Sequence, residues 1–207
     1  MRGPGETKLE LSRRIIEKNI LKKQQELDKL KEHRDLNRKR RLENKKKPVV
    51  AIVGYTNSGK SSLLNLLAKE NIYVKNELFA TLETTTRTVW LKSGHEILLT
   101  DTVGFINNLP HEFIEAFGST LEECVYADLL LLVVDISNPN YKNQMNITKE
   151  LLKKLGCTAK ILTVYNKIDK LKVGFIVEDN EDSIYISVKK ETNIDNLKNK
   201  IDEMLFD

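Results

Sequence analysis

The 207-residue sequence predicts an α/β domain with a mostly parallel central sheet, preceded by a long basic α-helix. Residues 8–46 contain neither glycine nor proline and are rich in helix-forming residues, which indicates the helix. From Pro48 onward, short β-branched apolar runs alternate with segments of helical periodicity, a pattern typical of a parallel sheet. A glycine-rich loop directly follows the first of these runs. We therefore predict a flexible segment and helical arm in residues 1–47 and an α/β domain in residues 48–207.

The arm and the domain carry net charges of opposite sign. Residues 1–47 hold 17 Lys or Arg and 8 Asp or Glu, a net charge of +9, whereas residues 48–207 hold 17 and 22, a net charge of −5. A basic arm indicates nucleic acid or another polyanion as a neighbour, and a solvated helix face explains the charge equally well. The arm also has an apolar stripe that needs a partner surface, because a single helix cannot bury it. The stripe recurs near coiled-coil spacing at Leu9, Ile16, Ile20, Leu27 and Leu30.

Composition excludes several classes of protein. The two cysteines, Cys124 and Cys157, have no partner at metal-ligand spacing, so a zinc site or a disulfide framework is not expected and both should pack as small hydrophobes. The longest apolar run, Leu129 to Val134, is too short to span a bilayer. The N-terminus has no apolar signal core. We therefore expect a cytoplasmic protein without a membrane partner.

Residues 54–61 fit the phosphate-binding pattern G-x-x-x-x-G-K-[ST] at every required position. They lie between a predicted strand, Pro48–Val53, and a predicted helix, Ser62–Ala68. Glycines let successive backbone N–H groups turn toward a phosphate chain, while Lys60 reaches the β- and γ-phosphates and the Ser61 hydroxyl coordinates Mg²⁺. The predicted phosphate-binding residues are Gly54, Tyr55, Thr56, Asn57, Ser58, Gly59, Lys60, Ser61 and Ser62.

The remaining elements follow from periodicity and turn residues. A threonine-rich loop is predicted for Leu78–Arg87, and a hairpin for the segments on either side of Gly94. In chain order we predict strands at Thr88–Lys92 and Glu96–Thr100, a helix at Pro110–Val125, a strand at Leu129–Asp135, a helix at Lys142–Leu155 ending at Gly156, strands at Lys160–Tyr165 and Ile184–Ser187, and a closing helix at Ile194–Leu205.

Further segments match the chemistry of a guanine-nucleotide site. In Asp101-Thr102-Val103-Gly104, the carboxylate can hold Mg²⁺ through water and the Gly104 N–H can meet the γ-phosphate. In Asn166-Lys167-Ile168-Asp169, the Asp169 carboxylate can accept two hydrogen bonds from guanine, which adenine cannot donate, and the Lys167 stem can lie over the base. Ser187-Val188-Lys189 offers a backbone N–H to the guanine oxygen.

The threonine-rich loop is the expected source of a further Mg²⁺ ligand and of an N–H for the γ-phosphate, ordered only in the triphosphate state. Several threonines compete for this role, and we favour Thr81 or Thr85 beside Ser61 and Asp101. Together these motifs predict a P-loop GTPase (Ras-like) fold that binds GTP and GDP, with Lys60 and Gly104 as the catalytic candidates.

The residue after the D-x-x-G element is Phe105, where many Ras-like GTPases carry a glutamine that orients the attacking water. A phenyl ring neither donates nor accepts a hydrogen bond, so we predict slow intrinsic hydrolysis that a partner accelerates. His111 could be the general base, but we favour the interpretation that it is an ordinary residue at a helix start. His33 and His95 are expected to be plain surface residues.

Four stretches resemble the HflX family of ribosome-associated GTPases over essentially the whole chain. They are Gly3-Pro4-Gly5-Glu6-Thr7 ahead of the basic helix, residues 54–61, Leu78-Phe79-Ala80-Thr81-Leu82-Glu83, and Asp101 to Ile106 with Leu109-Pro110-His111. The resemblance adds Phe79, Ala80, Leu82 and Glu83 to the nucleotide-binding candidates. Glu83 stands where the family usually has Asp, and Thr84 where it often has Pro.

The family normally has a further domain ahead of the Gly3–Thr7 segment, with a helix that pairs with the basic one. We therefore expect a fragment or an unusually short member. It should be a monomer, with self-association through the apolar stripe as the alternative.

The resemblance implies a GTPase that binds the large ribosomal subunit and its rRNA and helps to split or rescue stalled ribosomes under stress. Two rival functions follow from the residues. One is a nucleotide-dependent protein-binding switch with negligible turnover, which Phe105 favours. The other is a coiled-coil assembly protein with a regulatory nucleotide domain.

Overall fold

The computed structural model describes residues 12–25, 47–68, 85–105, 123–171 and 181–206. The chain divides into two compact units, Met1–Lys46 and Lys47–Asp207. In the first unit, residues 12–25 form helix α1, with an ion pair between Arg13 and Glu17 one turn apart. The other residues of the predicted long helix lie outside the described ranges. The apolar side chains of α1, each more than half exposed, are Ile15, Ile16, Ile20 and Leu21.

The second unit is built on a six-stranded sheet in the order β2-β3-β1-β4-β5-β6. Neighbouring strands are parallel except for β2 and β3, which form an antiparallel hairpin. The predicted α/β architecture with a mostly parallel sheet is thus confirmed. The strands are β1 Val49–Gly54, β2 Thr85–Trp90, β3 Glu96–Asp101, β4 Leu129–Asp135, β5 Lys160–Asn166 and β6 Ser183–Tyr185.

Alternating side chains of the central strands supply two separate hydrophobic clusters. In β1, Val50 and Ile52 face a cluster that includes residues of helices α2 (Lys60–Ala68) and α4 (Ile194–Phe206). Ala51 and Val53 face the other cluster, which includes Leu152 of helix α3 (Tyr141–Lys154). Strands buried on both faces explain why β1 and β4 read as continuous apolar runs in the sequence.

Gly156 terminates helix α3 as the sequence predicted, although the last helical residue is Lys154 and Leu155 is the C-cap. The Cys157 N–H bonds to Leu152 O at 3.1 Å and the Gly156 N–H bonds to Lys153 O at 3.1 Å, the pair of bonds of a Schellman motif. Gly156 has a φ of +79°, a left-handed conformation that glycine adopts without strain. Both cysteines are free, as predicted, with Cys124 buried and Cys157 half-buried.

Among the predicted strands, two differ most from the observed bounds. β2 begins at Thr85 rather than Thr88, because the β-branched threonines pair with β3, and Thr86 Oγ1 lies 2.9 Å from Thr100 Oγ1. The last strand covers Ser183–Tyr185 rather than Ile184–Ser187, because Ser187 instead exchanges backbone hydrogen bonds with Thr192.

Most of the predicted helix Pro110–Val125 lies outside the described residues. Its described part, residues 123–125, is helical. The described helices include none with the length and apolar character that a membrane span needs.

Candidate functional site

The loop that follows β1 is fastened to the chain that follows β3. The Thr56 N–H donates to Phe105 O at 2.8 Å, and the Phe105 N–H donates to Gly54 O at 3.1 Å. These bonds extend the parallel pairing of β1 and β3 by an isolated bridge between Tyr55 and Phe105. The glycine-rich loop and the D-x-x-G element, about fifty residues apart in sequence, therefore lie side by side at the carboxyl ends of their strands.

Lys60, the first residue of α2, is buried inside the curve of the loop. Its side chain is 6% exposed, and Nζ donates to Tyr55 O at 3.0 Å. Burial lowers the pKa of the Lys60 ammonium from 10.5 to about 8, and the negative charge of Asp101 opposes part of that shift. A buried ammonium that lacks full solvation is stabilised when an anion approaches. Lys60 is therefore suited to bind phosphate.

Ser61 and Asp101 bring two oxygen ligands together beside Lys60. Ser61 Oγ donates to Asp101 Oδ2 at 2.5 Å. Mg²⁺ prefers oxygen donors and is usually held by one or two protein ligands together with phosphate oxygens and water. The donor set of one hydroxyl and one carboxylate fits that ion. The hydroxyl of the neighbouring Thr102 does not join this donor set, since it donates to Ile52 O at 2.8 Å.

Gly104 sits where no side chain fits. A Cβ on Gly104 would lie 2.8 Å from Thr56 Cγ2 and 2.9 Å from Lys60 Nζ, closer than real Cβ contacts. The backbone of the D-x-x-G element thus approaches the Lys60 ammonium directly. Ser58 Oγ is buried, and within the described residues it has no hydrogen-bond partner. A close backbone approach and a buried hydroxyl fit a site that binds phosphate oxygens.

Asn166, at the end of β5, joins three segments of the candidate site. Its Nδ2 donates at 2.9 Å to Ser58 O in the glycine-rich loop of residues 54–61, called the phosphate loop below. Its Oδ1 accepts from the N–H groups of Lys167 at 2.8 Å and Val188 at 3.1 Å. A Cβ on Gly59 would collide with the same amide group, so the loop must carry glycine there. The N-K-x-D element and Ser187–Lys189 are therefore fixed against the phosphate loop by one side chain.

Asp169 is exposed and is kept anionic by its neighbour Ser187. Ser187 Oγ donates to Asp169 Oδ1 at 2.6 Å, and this hydrogen bond is the main reason that the pKa of the Asp169 carboxyl lies below its usual range. Asp169 lies in a short 3-10 helix, Ile168–Lys170, directly after the strand that carries Asn166. An accessible, ionised carboxylate can accept hydrogen bonds from a base.

Lys167 is held by a carboxylate that sequence reasoning missed. Its Nζ lies 2.6 Å from Asp135 Oδ2 and donates to Asn57 O in the phosphate loop at 2.7 Å. The sequence identified Asp135 only as the end of an apolar strand. Its position offered a signal, because polar residues at the carboxyl ends of parallel strands tend to face the ligand.

Some candidates stand apart from these contacts. Phe79, Ala80, Thr81, Leu82 and Glu83 lie outside the described residues, as do His33 and His111. Thr85 lies in β2 and pairs with Asp101 across the ladder, so it remains beside the proposed Mg²⁺ ligands. Phe105 is 2% exposed and belongs to the hydrophobic core.

His95 is more than the plain surface residue that the sequence suggested. Its Nδ1 lies 2.9 Å from Asp202 Oδ1, and its ring stacks on Phe206 with centroids 3.9 Å apart. A second contact of the same hairpin turn joins Lys92 to Asp195 at 2.9 Å. The turn between β2 and β3 is thereby attached to helix α4.

Comparison with known proteins agrees with this geometry. A family described as "50S ribosome-binding GTPase" matches residues 49–167, and one described as "GTP-binding GTPase Middle Region" matches residues 1–41. The chain is 50% identical over 207 residues to "GTPase HflX" of Caldanaerobacter subterraneus subsp. tengcongensis, covering 99% of the chain and 47% of that protein. It is 49% identical to "GTPase HflX" of Lacrimispora saccharolytica, covering 99% of the chain and 49% of that protein.

Among solved structures, a GTP-binding protein from the archaeon Sulfolobus solfataricus in complex with GDP is similar, with a TM-score of 0.62 and 30% identity. The match covers 95% of the chain and 64% of that protein. The chain spans about half the length of the curated relatives it matches.

Proposed function

The chain belongs to the HflX family of GTPases, and from this premise we propose that it binds GTP and GDP with Mg²⁺ and hydrolyses GTP. One observation carries the proposal. The Asn166 amide fastens the N-K-x-D element to the Ser58 carbonyl, which supports a proposed phosphate site and a proposed base site that one nucleotide would occupy. Fold neighbours that bind GDP support the same assignment.

Each part of the site has a proposed task in this reaction. Lys60 and the backbone N–H groups of residues 54–61 bind the phosphates, and the Gly104 N–H meets the γ-phosphate. Ser61 and Asp101 would hold Mg²⁺ together with Thr81 or Thr85, and the ion, when bound, offsets the charge of the phosphate oxygens. At the other end, the Asp169 carboxylate recognises guanine, and a backbone N–H of Ser187–Lys189 meets the guanine oxygen.

Intrinsic hydrolysis is proposed to be slow, because Phe105 occupies the place of a water-orienting residue. Its ring is buried in the core and offers no hydrogen bond to water. We propose that the large ribosomal subunit accelerates the reaction and that the protein acts in the cytoplasm in splitting or rescue of stalled ribosomes. The matching family's description and the +9 charge of residues 1–47 support a ribosomal RNA partner.

A single-turnover experiment tests the proposal. Radiolabelled GTP is mixed with excess protein, with and without purified large ribosomal subunits, and the phosphate released is followed over time. We expect slow release alone and at least a ten-fold acceleration with subunits. Lys60→Ala, measured in parallel, should release no phosphate above background. Binding of GTP without any acceleration would overturn the ribosomal part and leave the nucleotide site standing.

The second candidate is a nucleotide-dependent switch that binds a protein partner with negligible turnover. The buried Phe105 specifically favours it. Tight GTP binding without phosphate release, in the presence or absence of ribosomal subunits, would establish this candidate and exclude the GTPase.

Self-association is a separate question raised by helix α1, whose Ile16 and Ile20 are exposed. We propose a monomer. Sedimentation with GDP and with a non-hydrolysable GTP analogue checks this, and nucleotide-dependent oligomers that ignore RNA would instead favour a coiled-coil assembly protein.

A further inference from the structure

An ion pair joins Lys167 to Asp135, a residue at the end of β4 outside the nucleotide-binding motifs, and the same ammonium bonds to the phosphate loop. Lys167 Nζ lies 2.6 Å from Asp135 Oδ2 and 2.7 Å from Asn57 O. The Lys167 and Asp135 side chains are 18% and 17% exposed, so solvent screens their attraction only in part. The ammonium therefore has two close oxygen partners, one on β4 and one on the phosphate loop.

Asp135 is itself held in one orientation. Its Oδ1 accepts hydrogen bonds from Ser137 N at 3.0 Å and from Ser137 Oγ at 2.6 Å, while Oδ2 faces Lys167. The backbone around it is also fixed, because Asp135 pairs with Asn166 across the ladder and the Ile136 N–H donates to Asn166 O at 3.1 Å. A carboxylate with both oxygens engaged is a rigid anchor.

Lys167 and Asn57, which the Lys167 ammonium connects, both have left-handed backbones. Lys167 has a φ of +69° and Asn57 a φ of +60°, in a region that costs lysine about 1 kcal/mol and that asparagine adopts more readily. Such conformations persist where surrounding contacts hold them. Here the ammonium group contacts both Asp135 and the Asn57 carbonyl, so one side chain stabilises both loops.

Resting on the proposed guanine-nucleotide function, we propose that Asp135 is a positioning residue that controls how long any purine nucleotide stays bound. It fixes the Lys167 ammonium against the phosphate loop, and the aliphatic stem of Lys167 is thereby held ready to cover the base. A preformed surface lowers the ordering cost of binding and slows release. Because the stem contacts the face of the base and not its edge, Asp135 acts on residence time, and the choice between purines stays with Asp169.

The test compares dissociation rates of GDP and of inosine diphosphate, which lacks the exocyclic amine that Asp169 would bind. Asp135→Asn keeps the shape of the side chain but removes its charge. We expect both nucleotides to leave about ten times faster, since a charge-assisted hydrogen bond of this kind is lost, with the ratio of the two rates unchanged. Asp169→Asn should change that ratio.

The matched control lies at the other end of the same strand. Asp128 directly precedes β4, and its Oδ2 accepts a hydrogen bond from the Val49 N–H at 2.8 Å. Asp128→Asn should leave both dissociation rates unchanged. Ser137→Ala, which removes one donor to Asp135, should accelerate release in the same direction by about three-fold and provides the test if Asp135→Asn does not fold.

A double-mutant cycle separates positioning from general stability. In a Lys167→Met background, Asp135→Asn should produce no further acceleration, because the group that it positions is gone. An equal acceleration in both backgrounds, a changed ratio of the GDP and inosine diphosphate rates, or unchanged rates in Asp135→Asn would each overturn the role of Asp135. A native chain that binds neither nucleotide would instead overturn the proposed function, and the role of Asp135 with it.

Discussion

The phosphate end of the candidate site is buried, whereas its base end is open to solvent. At the phosphate end, Lys60 is buried and Gly104 leaves no room for a side chain. At the base end, Asp169 is exposed and is held by a hydrogen bond from Ser187. The phosphate end therefore depends on the hydrophobic core, and the base end on a few polar contacts. Mutations should accordingly affect stability at the first end and selectivity at the second.

Substitution of Phe105 should have the largest effect on stability, because the residue lies in the core beneath the phosphate end. Phe105→Ala should lower the free energy of unfolding by about 3–5 kcal/mol, as for other large-to-small substitutions of buried aromatics. Ile168→Ala, a half-buried position at the base end, is the matched variant and should cost less than about 1 kcal/mol. Urea denaturation of both variants gives the numbers. Equal losses would show that the two ends do not differ in this way.

Lys60→Met separates binding from stability at the phosphate end. Removing a buried ammonium should raise the melting temperature of the nucleotide-free protein, because the charge is costly to bury. The same change should weaken GDP binding by at least about a hundred-fold, since charge-assisted bonds to phosphate are lost. Fluorescent-nucleotide titration and thermal unfolding measure the two effects. Lys153→Met, at an exposed site in α3, should alter neither, and a lower melting temperature for Lys60→Met would contradict the account.

Lys60 should make the stability of the fold depend on pH. Its pKa falls from 10.5 to about 8 on folding, so between these values the unfolded state binds more protons and stability rises with pH. The rise should approach about 3 kcal/mol. Cys124 opposes it above pH 9, because burial raises the pKa of its thiol from 9.0 to about 12.

The difference between native protein and Lys60→Met isolates the lysine from this opposing effect. Chemical denaturation from pH 7 to pH 10 should show the difference shrinking as pH rises. A constant difference across that range would show that burial does not lower the pKa of Lys60.

Asp169→Asn sharpens the comparison from the base end and has the smallest expected effect on the fold. Because the side chain is exposed, stability should change by no more than about 0.5 kcal/mol. Guanine nucleotides should bind about thirty-fold more weakly, since the amide cannot accept both hydrogen bonds that the base donates. Competition titrations with GDP and xanthosine diphosphate would detect the altered preference. Unchanged affinity for both would remove Asp169 from the recognition role.

The sequence predicted the order of elements because each signal was local. The apolar run of β4, the glycine that ends α3 and the glycine-rich loop after β1 each depend on neighbouring residues. The β2 boundary was wrong because Thr85 is in a strand only through pairing with β3, a contact that local propensity does not include.

The motifs likewise identified Lys60, Asp101 and Asn166 but not the partners that hold them. The contact between Lys167 and Asp135 spans 32 residues, and that between Asn166 and Ser58 spans 108. Such contacts follow from which strands are neighbours in the sheet, and only the three-dimensional structure supplies that. In the sequence Asp135 is an ordinary strand end, and its contact with Lys167 follows from the pairing of β4 with β5.

The attachment of the β2–β3 turn to helix α4 has a mechanical consequence. Residues 69–84 precede β2 directly in sequence, and the far end of the hairpin is secured to α4 through His95 and Lys92. The hairpin is thus held at both ends, because Thr85 pairs with Asp101 at one end and the turn is attached to α4 at the other.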